Sequence, residues 1–148
     1  MYASRPFRPG ETMANYLFSD GRAVTPSHVY RAAAAREIRW DESLRRHQDL
    51  DFSIRFADRF RFLPCPDVTC VVHRREDRYL SEAVASQIDF MARYRDRIHP
   101  YLFRQYHRQQ LRRLTALGAG EGQLAVFRRE AMARIDLRDI SWEEYLAV

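Results

Sequence analysis

The sequence predicts an α+β chain that is mostly helical, with a few short strands confined to residues 24–74. Two observations point there. Residues 79–148 carry apolar side chains at helical spacing, and residues 24–30 and 61–74 are short β-favouring runs bounded by turn residues. At 148 residues the chain is long enough to bury a real core, and its composition, 46% hydrophobic and 30% charged, is that of an ordered protein.

Three parts are expected. Residues 1–23, with Pro6, Pro9, Gly10 and Gly21, read as an irregular lead-in containing one helical turn from Met13 to Phe18. Within 24–76, Val24 to Tyr30 suits a short strand. Arg31 to Glu37, with four consecutive alanines, suits a short helix. Residues 49–60 place Leu50, Phe52, Ile54, Phe56 and Phe60 on an amphipathic helix. Arg61 to Arg74 reads as strand with a bend at Pro64 and Pro66, and Val68 to Val72 is the best β run. In the helical extension, 77–148, one helix starts at Ser81-Glu82 and ends near His99-Pro100. A second runs from Tyr101 to Leu117 and stops at Gly118-Ala119-Gly120. A third covers Gln123 to Ile135, and Ser141 caps a last turn, Trp142 to Leu146. Their apolar stripes read as core-facing sides of packed helices.

Composition narrows the function classes. The net charge of +5 invites a nucleic-acid reading, yet all 25 basic residues are arginine, there is no lysine, and the arginines are interleaved with acids from Arg5 to Arg138. This favours a mixed solvated surface over a nucleic-acid partner. No window has the roughly 20 apolar residues of a membrane span, and the N-terminus lacks a signal-peptide core. The expected location is cytoplasmic, extending to peripheral attachment at the inner face of the membrane. Cys65 and Cys70 lack metal-ligand spacing and read as reduced, semi-buried thiols. His28, His99 and His107 belong to no constellation and read as surface or partly buried side chains.

The densest chemistry lies in residues 40–55: Trp40-Asp41-Glu42, a basic run, and then Gln48-Asp49-Leu50-Asp51 opening an apolar helix. Carboxylates at a helix start can be simple capping, with Asp49 the N-cap and Asp51 a first-turn acid. The sharper reading makes Asp49 a general base.

The pattern Ile38-Arg39-Trp40-Asp41-Glu42-x-Leu44, His47-Gln48-Asp49-x-Asp51-Phe52 and then Arg55 resembles the second half of family 2 glycosyltransferases. There, (Phe/Trp)-Asp-Glu-x-Leu leads into (Glu/Gln)-Asp-x-Asp-(Phe/Leu)-x-x-Arg. Phe62-Leu63-Pro64 and Val68 to His73 are similar to the family's next strand, and the helical tail to its variable C-terminal extension. The close match covers about residues 24–76. The resemblance implies an incomplete portion of the GT-A fold, from its acceptor side. It also implies inverting transfer of a sugar from a nucleotide-sugar donor to a hydroxyl of a glycan or lipid-linked acceptor.

By that resemblance Asp49 is the catalytic base, and Gln48 stands where glutamate is more frequent. Asp41 and Glu42 order the acceptor-side loop, with a lesser chance of touching substrate. Asp51 is a first-turn structural residue, and Trp40 serves as core or as a sugar-stacking platform. His73 falls where some related enzymes place a histidine near the metal or diphosphate, although an exposed strand-end histidine is the plainer reading.

A complete enzyme of this kind is expected to use a divalent cation, Mg or Mn, held by an Asp-x-Asp motif in a preceding donor-binding half. Nothing in residues 1–23 supplies that motif, and no glycine-rich phosphate loop is present. The expectation is therefore a truncated or split enzyme, inactive alone, that associates with an N-terminal half or with itself through unpaired strand edges. The alternative is a non-catalytic helical module whose basic, aromatic tail binds a protein or anionic partner.

Overall fold

A computed structural model describes residues 5–19, 21, 25–65, 67, 70–71, 80–116 and 118–135. The chain is mostly helical, as its periodicity predicts. It divides into two compact units, Met1–Arg75 and Glu76–Val148.

Among the described residues, the first unit holds three short α-helices. Helix α1 (Met13–Phe18) starts where the Thr12 hydroxyl accepts the Asn15 amide at 3.2 Å, and it buries Met13, Ala14, Tyr16, Leu17 and Phe18. The segment before it is pinned down. Arg5 meets Glu11 through two contacts of 2.6 and 2.7 Å, its guanidinium lies 4.8 Å from the Tyr16 ring centre, and its carbonyl accepts the Tyr16 hydroxyl. The Arg5 hydrogen bond is the main reason the Glu11 carboxyl is held below its usual range.

Helix α2 (Ala32–Ile38) carries the alanine run, and α3 (Gln48–Ala57) begins after His47, which sits in the left-handed region at φ 66°. Helix α3 packs against both α1 and α2. Phe52 and Phe56, one turn apart on α3, form the unit's aromatic core with Ala34, and Tyr30, Ala35, Ile38, Phe60 and Phe62 close around them. The Tyr30 ring centre lies 4.9 Å from both phenylalanines.

No strand occurs among the described residues, which corrects the strand readings at 25–30 and at 61–65. Over 25–30 the chain makes a 3-10 turn, Thr25–Ser27, and then an extended segment, while Val24 lies outside the described residues. Pro26 in a Thr-Pro-Ser setting favours this local turn. Residues 61–65, 67, 70 and 71 are irregular, and the rest of the expected β run, including Val68 and Val72, lies outside the described residues. Here aromatic and β-branched residues fit a packed surface without joining a ladder: Tyr30 and Phe62 turn toward the core while Val29 and Leu63 stay 96% and 67% exposed.

The second unit contains α4 (Leu80–Tyr94), a 3-10 turn (Arg95–Arg97), α5 (Pro100–Ala116) and α6 (Glu121–Ile135). Helix α6 packs on α4 and α5. The core comprises Ile88 of α4, Leu111 and Leu114 of α5, and Leu124 and Phe127 of α6. Helix α5 opens with proline in its first position, and the Tyr101 amide donates to the His99 ring at 3.3 Å. Its end is a Schellman closure: Gly118 is left-handed at φ 77°, its amide reaches the Thr115 carbonyl, and the Ala119 amide reaches that of Leu114, each at 3.0 Å. Gly120 then starts α6, with the Gln123 side chain reaching back to its amide at 3.3 Å.

The expected turn after Ser141 lies outside the described residues. No helix among those described is long and apolar enough to cross a membrane.

Candidate functional site

The site is built where α2 ends and α3 begins. Helix α2 stops at Arg39, a non-glycine residue at φ 55° whose amide still reaches the Ala35 carbonyl at 3.0 Å. The loop that follows carries Trp40, Asp41 and Glu42. Leu44, 1% exposed, anchors it in the core.

Arg55 closes the base of this loop. Its Nη1 donates to the Ile38 carbonyl at 2.7 Å and its Nη2 to the Arg39 carbonyl at 2.9 Å, so a cation covers carbonyls at the end of α2. The same guanidinium contacts Asp51 Oδ2 through Nε at 2.8 Å and Nη2 at 2.6 Å. The Asp51 side chain is fully buried. Burial without a partner would be very costly for a carboxylate, and Arg55 supplies that partner. The spacing Asp51-x-x-x-Arg55 is thus one turn of helix used to clamp a loop.

Asp41 orders the tip of that loop. Its Oδ1 accepts the Ser43 amide at 2.9 Å and the Ser43 hydroxyl at 2.5 Å, an Asx turn. Glu42 is exposed. Trp40 stacks on Phe52 with ring centres 4.5 Å apart and planes 29° apart, and 41% of its surface is open to solvent.

Gln48 and Asp49 are the first two residues of α3. Asp49 is therefore not the N-cap; His47 holds that position through its backbone, and its carbonyl accepts the Asp51 amide at 2.9 Å. The half-buried Asp49 carboxylate accepts one hydrogen bond among the described residues, from the Leu50 amide at 3.0 Å. It lies in the first turn of α3, at the positive end of the helix dipole.

Three residues that the sequence did not single out gather near it. The Tyr30 phenol is pushed up to about 12, chiefly by burial; the nearby Ser53 hydroxyl opposes this and the negative charge of Asp49 adds to it. Tyr30 also hydrogen-bonds His28 Nδ1. Tyr30 and His28 are brought here by tertiary packing of the extended segment on α3, and no local pattern announces it.

Asp49 and Asp51 thus share the first turn of α3, and Arg55, in its last turn, ties Asp51 to the end of α2. His73 lies outside the described residues. Cys65 and Cys70 are free thiols, Cys65 exposed and Cys70 partly buried. Among the described residues, no group of three or more His, Cys, Asp or Glu side chains is gathered as a metal site would need.

His107 is a second departure from expectation. It is fully buried, not at the surface, and its ring stacks on Phe127 with centres 5.0 Å apart and planes 13° apart. Its place one turn after Phe103 and one turn before Leu111 puts it on the apolar stripe of α5, a signal present in the sequence. Burial pushes its imidazole down to about 4.

No protein-family model, curated protein or solved structure matches this chain.

Proposed function

We propose that this chain is the acceptor-side portion of an inverting, family 2-like glycosyltransferase, with Asp49 as its general base. The observation that carries the reading is the division of labour within residues 40–55. Asp51 and Arg55 are committed to each other, and Asp41 to its own turn. Asp49 alone is a partly open carboxylate in the first turn of a helix whose start is fixed by its neighbours.

In the reaction, an acceptor hydroxyl attacks the anomeric carbon of a nucleotide sugar. The new C–O bond forms as the bond to the diphosphate breaks, and the hydroxyl proton passes to an Asp49 carboxylate oxygen. An alcohol is a weak nucleophile until that proton is accepted, so a positioned base is worth on the order of 10²- to 10⁴-fold in rate. Trp40 offers an aromatic face to a sugar ring, and Glu42 in the loop and Gln48 at the start of α3 offer polar groups. Binding of the nucleotide diphosphate, with the Mg or Mn that shields its charge, falls to a donor-binding half joined to or mixed with this chain.

Asp49→Asn tests the assignment in such an assembly. Transfer should fall by about 10²-fold or more while the far-UV circular dichroism spectrum is retained. Unchanged turnover would remove Asp49 from the mechanism.

A further inference from the structure

Two extended segments of the first unit alternate as strands do, yet join no ladder among the described residues. In the first, His28 and Tyr30 are half-buried while Val29 and Arg31 are exposed. In the second, Phe62 and Pro64 are half-buried while Arg61 and Leu63 are exposed. This is the period of two expected where one face rests on a core and the other meets solvent. The inward side chains meet: Tyr30 and Phe62 pack on the same aromatic cluster, and the His28 and Phe62 rings stand edge to face with centres 6.4 Å apart. Among the described residues, no backbone hydrogen bond joins the two segments, and none involves Val29, Tyr30, Phe62 or Leu63.

The outward sides carry the same pair twice. Val29, 96% exposed, stands two positions from Arg31, and Leu63, 67% exposed, stands two positions from Arg61. Neither arginine makes an ion pair among the described residues. We propose that these segments form a docking edge for an extended peptide strand that alternates apolar and acidic side chains along one face. Unpaired amides and carbonyls on extended backbone are a template for another extended backbone, which adds a ladder where solvent now sits. The period of two then fixes the partner's chemistry. Its outer-face side chains fall beside an apolar residue and an arginine, so an apolar residue and a carboxylate two positions apart match both. A second copy of this chain matches less well, because residues 28–31 and 61–65 contain no aspartate or glutamate to offer these arginines. The inference does not depend on sugar transfer.

The probe is a fluorescein-labelled synthetic peptide, Val-Thr-Glu-Thr-Val-Thr-Glu-Thr, added to the full chain. Fluorescence anisotropy reads its affinity, and amide hydrogen exchange reads where it binds. It should bind and slow exchange within residues 28–31 or 61–65. The same peptide with lysine for glutamate should bind more weakly. A form N-methylated along its backbone, which keeps the side chains and loses the amide donors, should not bind. Arg31→Gln/Arg61→Gln should weaken the glutamate peptide about fivefold, the upper range for a cross-strand charge pair. Arg36→Gln/Arg112→Gln removes the same charge from exposed positions outside the two segments and should leave binding unchanged. Equal binding of the N-methylated peptide, or an equal loss in the control pair, would overturn the proposal by tracing binding to apolar contact or to net charge. Absence of binding at millimolar peptide would also overturn it; in that case, protection of these segments that rises with the concentration of the chain alone would reassign the edge to a second copy.

Discussion

Replacing Arg55 with alanine strands a fully buried carboxylate. In the native chain Asp51 Oδ2 receives Nε at 2.8 Å and Nη2 at 2.6 Å, and the Ile38 and Arg39 carbonyls take the other two donations. Removing one partner of a buried ion pair costs about 3–5 kcal/mol. Arg55 keeps 30% of its side chain exposed, so solvent already screens part of the interaction. The lower end of that range, about 3 kcal/mol, is therefore the expected loss. For a urea slope of about 1 kcal/mol/M the unfolding midpoint should fall by roughly 3 M. Trp40, stacked on Phe52 in the clamped loop, reports the transition once Trp142→Phe has removed the second tryptophan. The double variant Asp51→Asn/Arg55→Ala should recover part of the loss, because the stranded charge is gone. A single-variant cost below about 1 kcal/mol, or a double variant as unstable as the summed singles, would refute the clamp.

Two further outcomes follow from burial. The imidazole of His107 is held near 4 in the fold against an ordinary 6.5, so the unfolded chain binds its proton first as pH falls. The stability of the second unit should be complete above pH 6.5 and decline toward pH 4, by about 3 kcal/mol in all; His107→Leu should flatten this decline in urea titrations, and a His107 NMR resonance titrating near 6.5 would sink the argument. At Gly21 an added Cβ would lie 2.4 Å from both the Tyr16 carbonyl oxygen and the Tyr16 ring. Gly21→Ala must therefore displace backbone at the end of α1, and a melting temperature lowered by several degrees is expected; an unchanged one would show that the turn relaxes freely.

Helices were the most legible part of the sequence, because each carries its own periodicity and end signals. Thr12 before Met13, Pro100 at the head of α5, and Gly118 and Gly120 after it are local devices, and they act where they are written. The extended segments were misread because β-favouring residues state only a fit to a packed surface. Tyr30 and Phe62 meet that preference against Phe52 and Phe56 with no neighbouring strand among the described residues. Within the candidate site, Asp49, Asp51 and Arg55 stood out as a pattern. Their separate structural commitments did not, since the Arg55 bonds reach 16 and 17 residues back along the chain. Tyr30 and His28 were invisible for the same reason.

Arg39 and His47, the two non-glycine residues with positive φ among those described, stand at opposite ends of the loop that carries Trp40, Asp41 and Glu42. Such residues cost on the order of 1 kcal/mol each, and here they set how the chain leaves α2 and enters α3. The entry and exit directions are thus written in the frame and not in the seven residues between. Between those ends Leu44 and Trp40 tie the loop to the core, so it is the exposed positions Glu42 and Arg45 that can drift, and with them the molecule the loop greets, while the helices on either side keep their places.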